Sequence, residues 1–372
     1  MSRIFLLALA LALLALLLGG CALPGTIAEG GRLPAVGPAP TPTPLPPARF
    51  PEDEAPHRNL TEWWYYTGHL HGVDAEGRQR DYGFELTFFQ TLRGQLPPYY
   101  AAHYAISDLT RGEFRYDERG GFRPTSAIPP AGSRAGFDLS LDGWAMHGLD
   151  GRDRLAASME GYAVDLALTD LLPRPVLHGG GVVDYGDAGF SYYYSRPLLA
   201  VTGTVLDHGV PVRVSGRAWM DHQWGDFVSL AGSGWDWLGV QLDNQTEYML
   251  YVIRDDQRRP ISVVGTAVLP DGSARDIPAS EIHVEATASW TSPKTGGVYP
   301  AGWKVTVPSL DLFLTLTPAL PDQELVTART TGVAYWEGVV AVEGRSGGAT
   351  VRGEGYVELT GYAKVPAPPD AR

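Results

Sequence analysis

The chain has one cysteine, Cys21, in 372 residues. A single thiol forms no intrachain disulfide, so a folded domain here rests on its core rather than on cross-links. Positive charge is scarce as well. Lys and Arg number 29 against 42 Asp and Glu, for a formal net charge of -13. Nucleic-acid backbones select basic faces, so this balance excludes nucleic acid as a partner. Convincing helices are missing: no segment beyond the N-terminus repeats its apolar positions with the helical period for more than about ten residues. The weak exception is a short stretch around Leu166–Leu172. The Gly-x-Ser-x-Gly elbow of α/β-hydrolases occurs nowhere in the sequence. "HGGG" at 178–181 is therefore read as a flexible loop and not as the oxyanion loop of an esterase.

What is present begins with a targeting segment. Arg3 precedes an unbroken apolar run from Ile4 to Leu18, followed by Gly19, Gly20 and Cys21. The run is short for a membrane-spanning helix, which needs about 20 apolar residues. It resembles a bacterial lipoprotein signal, with Cys21 the lipidated residue. This implies an extracytoplasmic protein anchored to the membrane by an N-terminal lipid. Residues 1–20 are then the signal peptide. Residues 21–57, rich in Pro and small residues, read as an extended tether, with folded structure starting near Arg58.

From there the chain alternates β-type runs with turn signals. "EWWYYTGHLHGV" and "DYGFELTFFQT" form a hairpin about "DAEG". Further turns are expected at Asp207-His208-Gly209, Asp243-Asn244, Asp271-Gly272 and Ser346-Gly347-Gly348. The pattern predicts an all-β protein of sandwich or barrel type. "EWWYYTGHL" near the start faintly echoes "AYWEGVVAV" near the end, which suggests two related β-domains, 58–229 and 230–365.

Five blocks in order, "EWWYYTGHL" (62–70), "HGGG…SYYYSRPLLAVTGTV" (178–205), "GRAWMDHQWGDF" (216–227), "WDWLGVQL" (235–242) and "GEGYVELTGY" (353–362), resemble the carotenoid 1,2-hydratase (hydroxyneurosporene synthase) family and its AttH-like lipocalin relatives. The resemblance implies two tandem lipocalin-like (calycin-like) β-domains. It also implies a cofactor-independent hydro-lyase that adds water to a C=C bond of an isoprenoid-like, hydrophobic small molecule. A non-catalytic lipocalin-like carrier of a hydrophobic ligand is the alternative. The lipoprotein signal departs from hydratases that act on carotenoids inside the cell.

Hydrating an isolated double bond requires a carboxylic acid that stays protonated near neutral pH, aromatic walls that tolerate a cation, and one water. If 217–224 is extended, Trp219, Asp221 and Gln223 face one way and Met220, His222 and Trp224 the other. Asp221 is the first candidate acid, with Asp236 the alternative and Glu62 the third. His222 is a candidate for closing the cavity or holding a water. Trp63, Tyr65, Tyr193, Trp219, Trp224, Trp235, Trp237 and Tyr251 are the candidate substrate-lining residues. Each of these side chains could equally fill core, and Asp221 could equally cap a turn. His69 and His71 stand at i and i+2, but no third ligand with metal-site spacing is nearby, so no metal is expected. Arg196 is read as a structural ion-pair partner.

Overall fold

A computed structural model describes residues 45–122, 133–227 and 234–366. The lipoprotein signal, Cys21 and the 229/230 boundary lie outside the described residues. The fold is all-β, built on two large antiparallel sheets.

The first sheet has eleven strands. Its path runs from Glu113–Phe122 through Tyr99–Asp108 and Gln79–Thr91 to Thr61–Val73, which pairs with Val210–Gly225. It continues through Phe190–Asp207, Tyr162–Asp170, Arg152–Met159 and Trp144–Leu149 to Phe137–Leu141. The two end strands come back into contact with one another, so the sheet curls into a barrel. Alternate residues point inward, and Trp64, Tyr66, Phe84, Trp144 and Leu166 fill the interior with essentially no exposure. Truncating one such aromatic to alanine costs about 3–5 kcal/mol, because the close-packed wall cannot collapse into the space.

The second sheet has ten strands and repeats the central pairing of the first. Its first strand, Gly234–Leu242, pairs with its last, Ala349–Thr360, just as Thr61–Val73 pairs with Val210–Gly225. Glu247–Arg254 flanks this central pair on one side and Val333–Ser346 on the other. The echo noted in the sequence therefore joins non-equivalent strands. "AYWEGVVAV" lies in the penultimate strand of its sheet, whereas the counterpart of "EWWYYTGHL" is "WDWLGVQL". An aromatic pair followed by glycine marks any strand with two buried faces, so it does not identify which strand.

Two further sequence expectations are corrected. Residues 178–181 lie within the strand Val176–Asp184, paired to Phe190–Asp207. The stretch at Leu166–Leu172 lies mostly in the strand Tyr162–Asp170. Its alternating exposure shows period two, which the short window disguised as a helical turn. The segment 45–57, read as the end of a tether, packs on the first barrel. Leu45, Ala48 and Phe50 cover its core. Buried Glu54 pairs with Arg196, which also holds Asp170 at 2.5 Å. Proline-rich composition suggested an extended tether, but its described part contains a short 3-10 turn at Glu52–Glu54 and its apolar residues dock.

The two sheets close on each other through the outward faces of their central strands. The approach is tight at Gly83, where an added Cβ would lie 2.0 Å from Val339 Cγ2 and 2.5 Å from the Tyr356 hydroxyl. Glycine is needed there for space, not for backbone conformation.

Candidate functional site

Strand parity delivers one row of side chains from each central strand into this junction. Thr61–Val73 contributes Trp63, Tyr65, Thr67 and His69, in register with Gln223, Asp221, Trp219 and Arg217 of Val210–Gly225. The second sheet contributes Trp235 and Trp237, Tyr251, Glu337 and Val339, and Tyr356 and Glu358. Tyr65, Tyr193, Trp219, Trp237 and Tyr251 form one buried aromatic cluster, with Trp63 and Trp235 packed at its edge. Trp219 meets Trp237 edge-on at 5.6 Å, and Trp63 stacks on Trp235 at 6.4 Å. These seven aromatics from the sequence reading are thus brought together.

Asp221 sits among them with both oxygens engaged. Oδ2 accepts a 2.6 Å bond from the Tyr193 hydroxyl. Oδ1 accepts from Trp219 Nε1 at 2.6 Å and from the Ser195 hydroxyl. Burial pushes its pKa up to about 6, and the three donors oppose that rise. Tyr193 in turn accepts from Trp237 Nε1 at 2.9 Å, so its own proton must point at Asp221. Because the Ser195 proton also goes to Asp221, His178 Nε2, 2.6 Å from Ser195 Oγ, is the protonated nitrogen. Its Nδ1 then accepts from Thr266, 2.8 Å away in the second sheet.

The second sheet brings two carboxyls to the same place. Glu337 is 1 % exposed. Its Oε1 accepts a 2.7 Å bond from the Tyr65 hydroxyl, and its Oε2 has no partner. Burial, then the charges of Glu358 and Glu85, hold its pKa well above the carboxylate range. Glu358, half-buried on the neighbouring strand and in register with Glu337, accepts from Trp235 Nε1 at 2.8 Å. Burial pushes it up to about 8. Glu85, from the first sheet, is pushed up to about 7 by burial, and its Oε2 is likewise unpartnered. Among the described residues no cation is bonded to any of the three, and burial favours their protonated forms near neutral pH.

The sequence reading missed Glu337, Glu358 and Glu85. Their signal was present: in "YWEGVVAV" and "GYVEL" the glutamate shares the parity of the aromatic that precedes it by two. A carboxyl on the buried face of a strand is unusual enough to flag a site.

Four residues read as part of this site lie elsewhere. His222 and Trp224 point into the first barrel, as their parity requires. Asp236 has the opposite parity to Trp235 and Trp237 on its strand, and is held at 3.0 Å by both Arg254 and Tyr362. Glu62, the third candidate acid, is also inside the first barrel. Its Oε1 lies 2.8 Å from both His57 Nδ1 and His222 Nε2. Its Oε2 accepts from the His57 backbone N–H at 2.8 Å and from Gln90 Nε2 at 2.9 Å. His57, Glu62 and His222 are spaced closely enough to hold a metal ion. Four donors already saturate the carboxylate, however, and no buried atom is left over for an ion to satisfy. The cluster instead fastens residue 57 to the barrel, where His57 stacks on Trp224 at 4.2 Å.

A model of the family described as AttH-like matches residues 41–362. The dehydratase AsqC of Emericella nidulans is 24 % identical over 267 residues, spanning 68 % of this chain and 75 % of that protein. Among solved structures, a protein described as a candidate AttH of Nitrosomonas europaea superposes with a TM-score of 0.74 at 30 % identity. That match covers 87 % of this chain and 99 % of the other. Kievitone hydratase of Nectria haematococca superposes with a TM-score of 0.67 at 16 % identity, covering 87 % and 97 %.

Proposed function

Because the chain belongs to the AttH-like family, we propose that it is a hydratase-like lyase that adds water to, or removes it from, an apolar unsaturated molecule at the junction of its two sheets. The observation that carries this reading is Glu337. It is a buried carboxyl held protonated by its surroundings, with one oxygen bonded by Tyr65 and the other buried without a partner. A protonated acid of this kind donates to an alkene carbon or to a departing hydroxyl. The faces of Trp219, Trp237 and Tyr251 would stabilise the cation formed, each by about 0.5–2 kcal/mol. Asp221 is less suited to the donor role, since three hydrogen bonds already point at it. Its part is to fix Tyr193, Ser195 and Trp219.

The names of AsqC and kievitone hydratase support water addition or removal as the reaction class. The substrate is an isoprenoid-like hydrophobic molecule, in keeping with a site walled by aromatics. The lipobox-like Leu18–Cys21 supports an extracytoplasmic protein held at the membrane by lipid. A carrier would store its ligand inside a barrel. Trp64, Tyr66 and Trp144 occupy the first barrel interior, which leaves that interior without ligand space.

The test is incubation with kievitone and with a panel of unsaturated isoprenoids in isotopically labelled water, read by mass spectrometry. The expected result is a gain of one labelled water by at least one compound, lost in Glu337→Gln with the fold unchanged. Full turnover by Glu337→Gln would rule the assignment out.

A further inference from the structure

Hydration also needs a place for the water, and the strand that presents Tyr65 supplies one. Resting on the hydratase reading, we propose that Thr67 and His69 hold the reacting water, with His69 as the base that takes its proton. Both side chains are buried, and Thr67 Oγ1 and His69 Nε2 have no hydrogen-bond partner. Both line one cavity of about 10 Å³, whose other walls include Trp219, Trp237, Gln241 and Tyr356. That volume holds about one water molecule and nothing larger. Gly68, Gly239 and Gly355 line it as well, and the backbones pack closely there: a Cβ on Gly355 would lie 2.6 Å from the Gly239 carbonyl oxygen.

The imidazole is oriented for this task. It is bonded to the backbone of Gly355, and its Nδ1 lies 3.9 Å from Glu354. Burial lowers its affinity for a proton. The ring is therefore neutral, and a lone pair on Nε2 faces the cavity. Tyr65, Thr67 and His69 follow one another at steps of roughly 7 Å along the same face. The double bond must lie where the free oxygen of Glu337 and the water of Thr67 and His69 reach its two carbons together.

In the hydration direction, Glu337 Oε2–H gives its proton to one alkene carbon, and the π pair forms the new C–H bond. The neighbouring carbon becomes cationic. A lone pair of the water forms the C–O bond there, and one water O–H bond breaks with its proton passing to His69 Nε2. One water has been added, Glu337 is anionic and His69 cationic. Return of that proton to Glu337 through solvent resets the pair. Dehydration runs the same steps backwards.

The experiment uses the full chain and two readouts. Crystals of the wild type and of Thr67→Ser should show one ordered water within hydrogen-bonding reach of both atoms, absent from Thr67→Val. With the compound that takes up water in the Glu337 assay, His69→Gln should lower kcat about 100-fold with KM changed less than about twofold. Glutamine still hydrogen-bonds but cannot take the proton. No water between the two atoms in the wild type, or wild-type turnover by His69→Gln, overturns the proposal while leaving the role of Glu337 standing. If the water is present and no compound is hydrated, the hydratase reading falls and takes the base with it.

Discussion

The Tyr65 hydroxyl donates a 2.7 Å hydrogen bond to Glu337, a residue 272 positions away in sequence. The bond joins the first strand of one sheet to the penultimate strand of the other. It leaves one oxygen of a buried acid free, and the chemistry proposed for this chain depends on that remaining oxygen.

Clustered neutral acids make stability fall as pH rises. Glu358, Glu85 and Asp221 have pKa values raised to about 8, 7 and 6, each chiefly by burial. Their contribution is complete below the unfolded values near 4 and is lost as pH climbs through the folded ones. His57, raised to about 9 against the burial that lowers it, chiefly by the charge of Glu62, acts in the same direction above 6.5. His103 and His178, lowered to about 3 by burial, act oppositely, losing stability only below 6.5. Melting temperature should therefore decline gently between about 4.5 and 6.5, where the two histidines offset most of the loss from the three acids, and more steeply from 6.5 upward. Glu358→Gln should flatten that decline, as thermal melts across pH would reveal.

Asp221→Asn should destabilise the protein by about 1–3 kcal/mol. The asparagine amide would confront Tyr193, whose proton is committed because its oxygen already accepts from Trp237. Denaturant unfolding followed by tryptophan fluorescence measures this loss. A variant as stable as the wild type would mean that the three donors do not depend on the carboxylate.

A chain beginning at Arg58 should be less stable than one beginning at Leu45 by about 3 kcal/mol or more. The shorter chain lacks Glu54, the buried partner of Arg196, and His57, the partner of Glu62. Equal melting temperatures for the two chains would show that residues 45–57 serve as tether alone.

Cys21→Ser should release the protein from the membrane fraction or block its processing. Fractionation with a globomycin-type inhibitor as control checks this. A variant that matures and partitions like the wild type would exclude the lipid anchor.

Much of this was legible along single strands. Alternation at period two predicts an all-β chain, and it alone separates Asp221 and Trp219 from His222 and Trp224. Parity is local, since successive side chains must leave a strand on opposite faces. Turn residues such as Asp207-His208-Gly209 and Asp271-Gly272 likewise act over a few positions, and the hairpins fall where they stand. What parity cannot say is what each face meets. Both faces of the central strands are buried, one in a barrel interior and one in the junction, so an aromatic reads the same on either. Only the closure of the second sheet on the first decided that Asp221 would be saturated by Tyr193, Ser195 and Trp219, that Asp236 would turn to Arg254, and that Glu337 would meet Tyr65. Those partners are set by contacts between strands far apart in the chain, where packing and the need to satisfy buried polar groups, rather than local propensity, fix the arrangement.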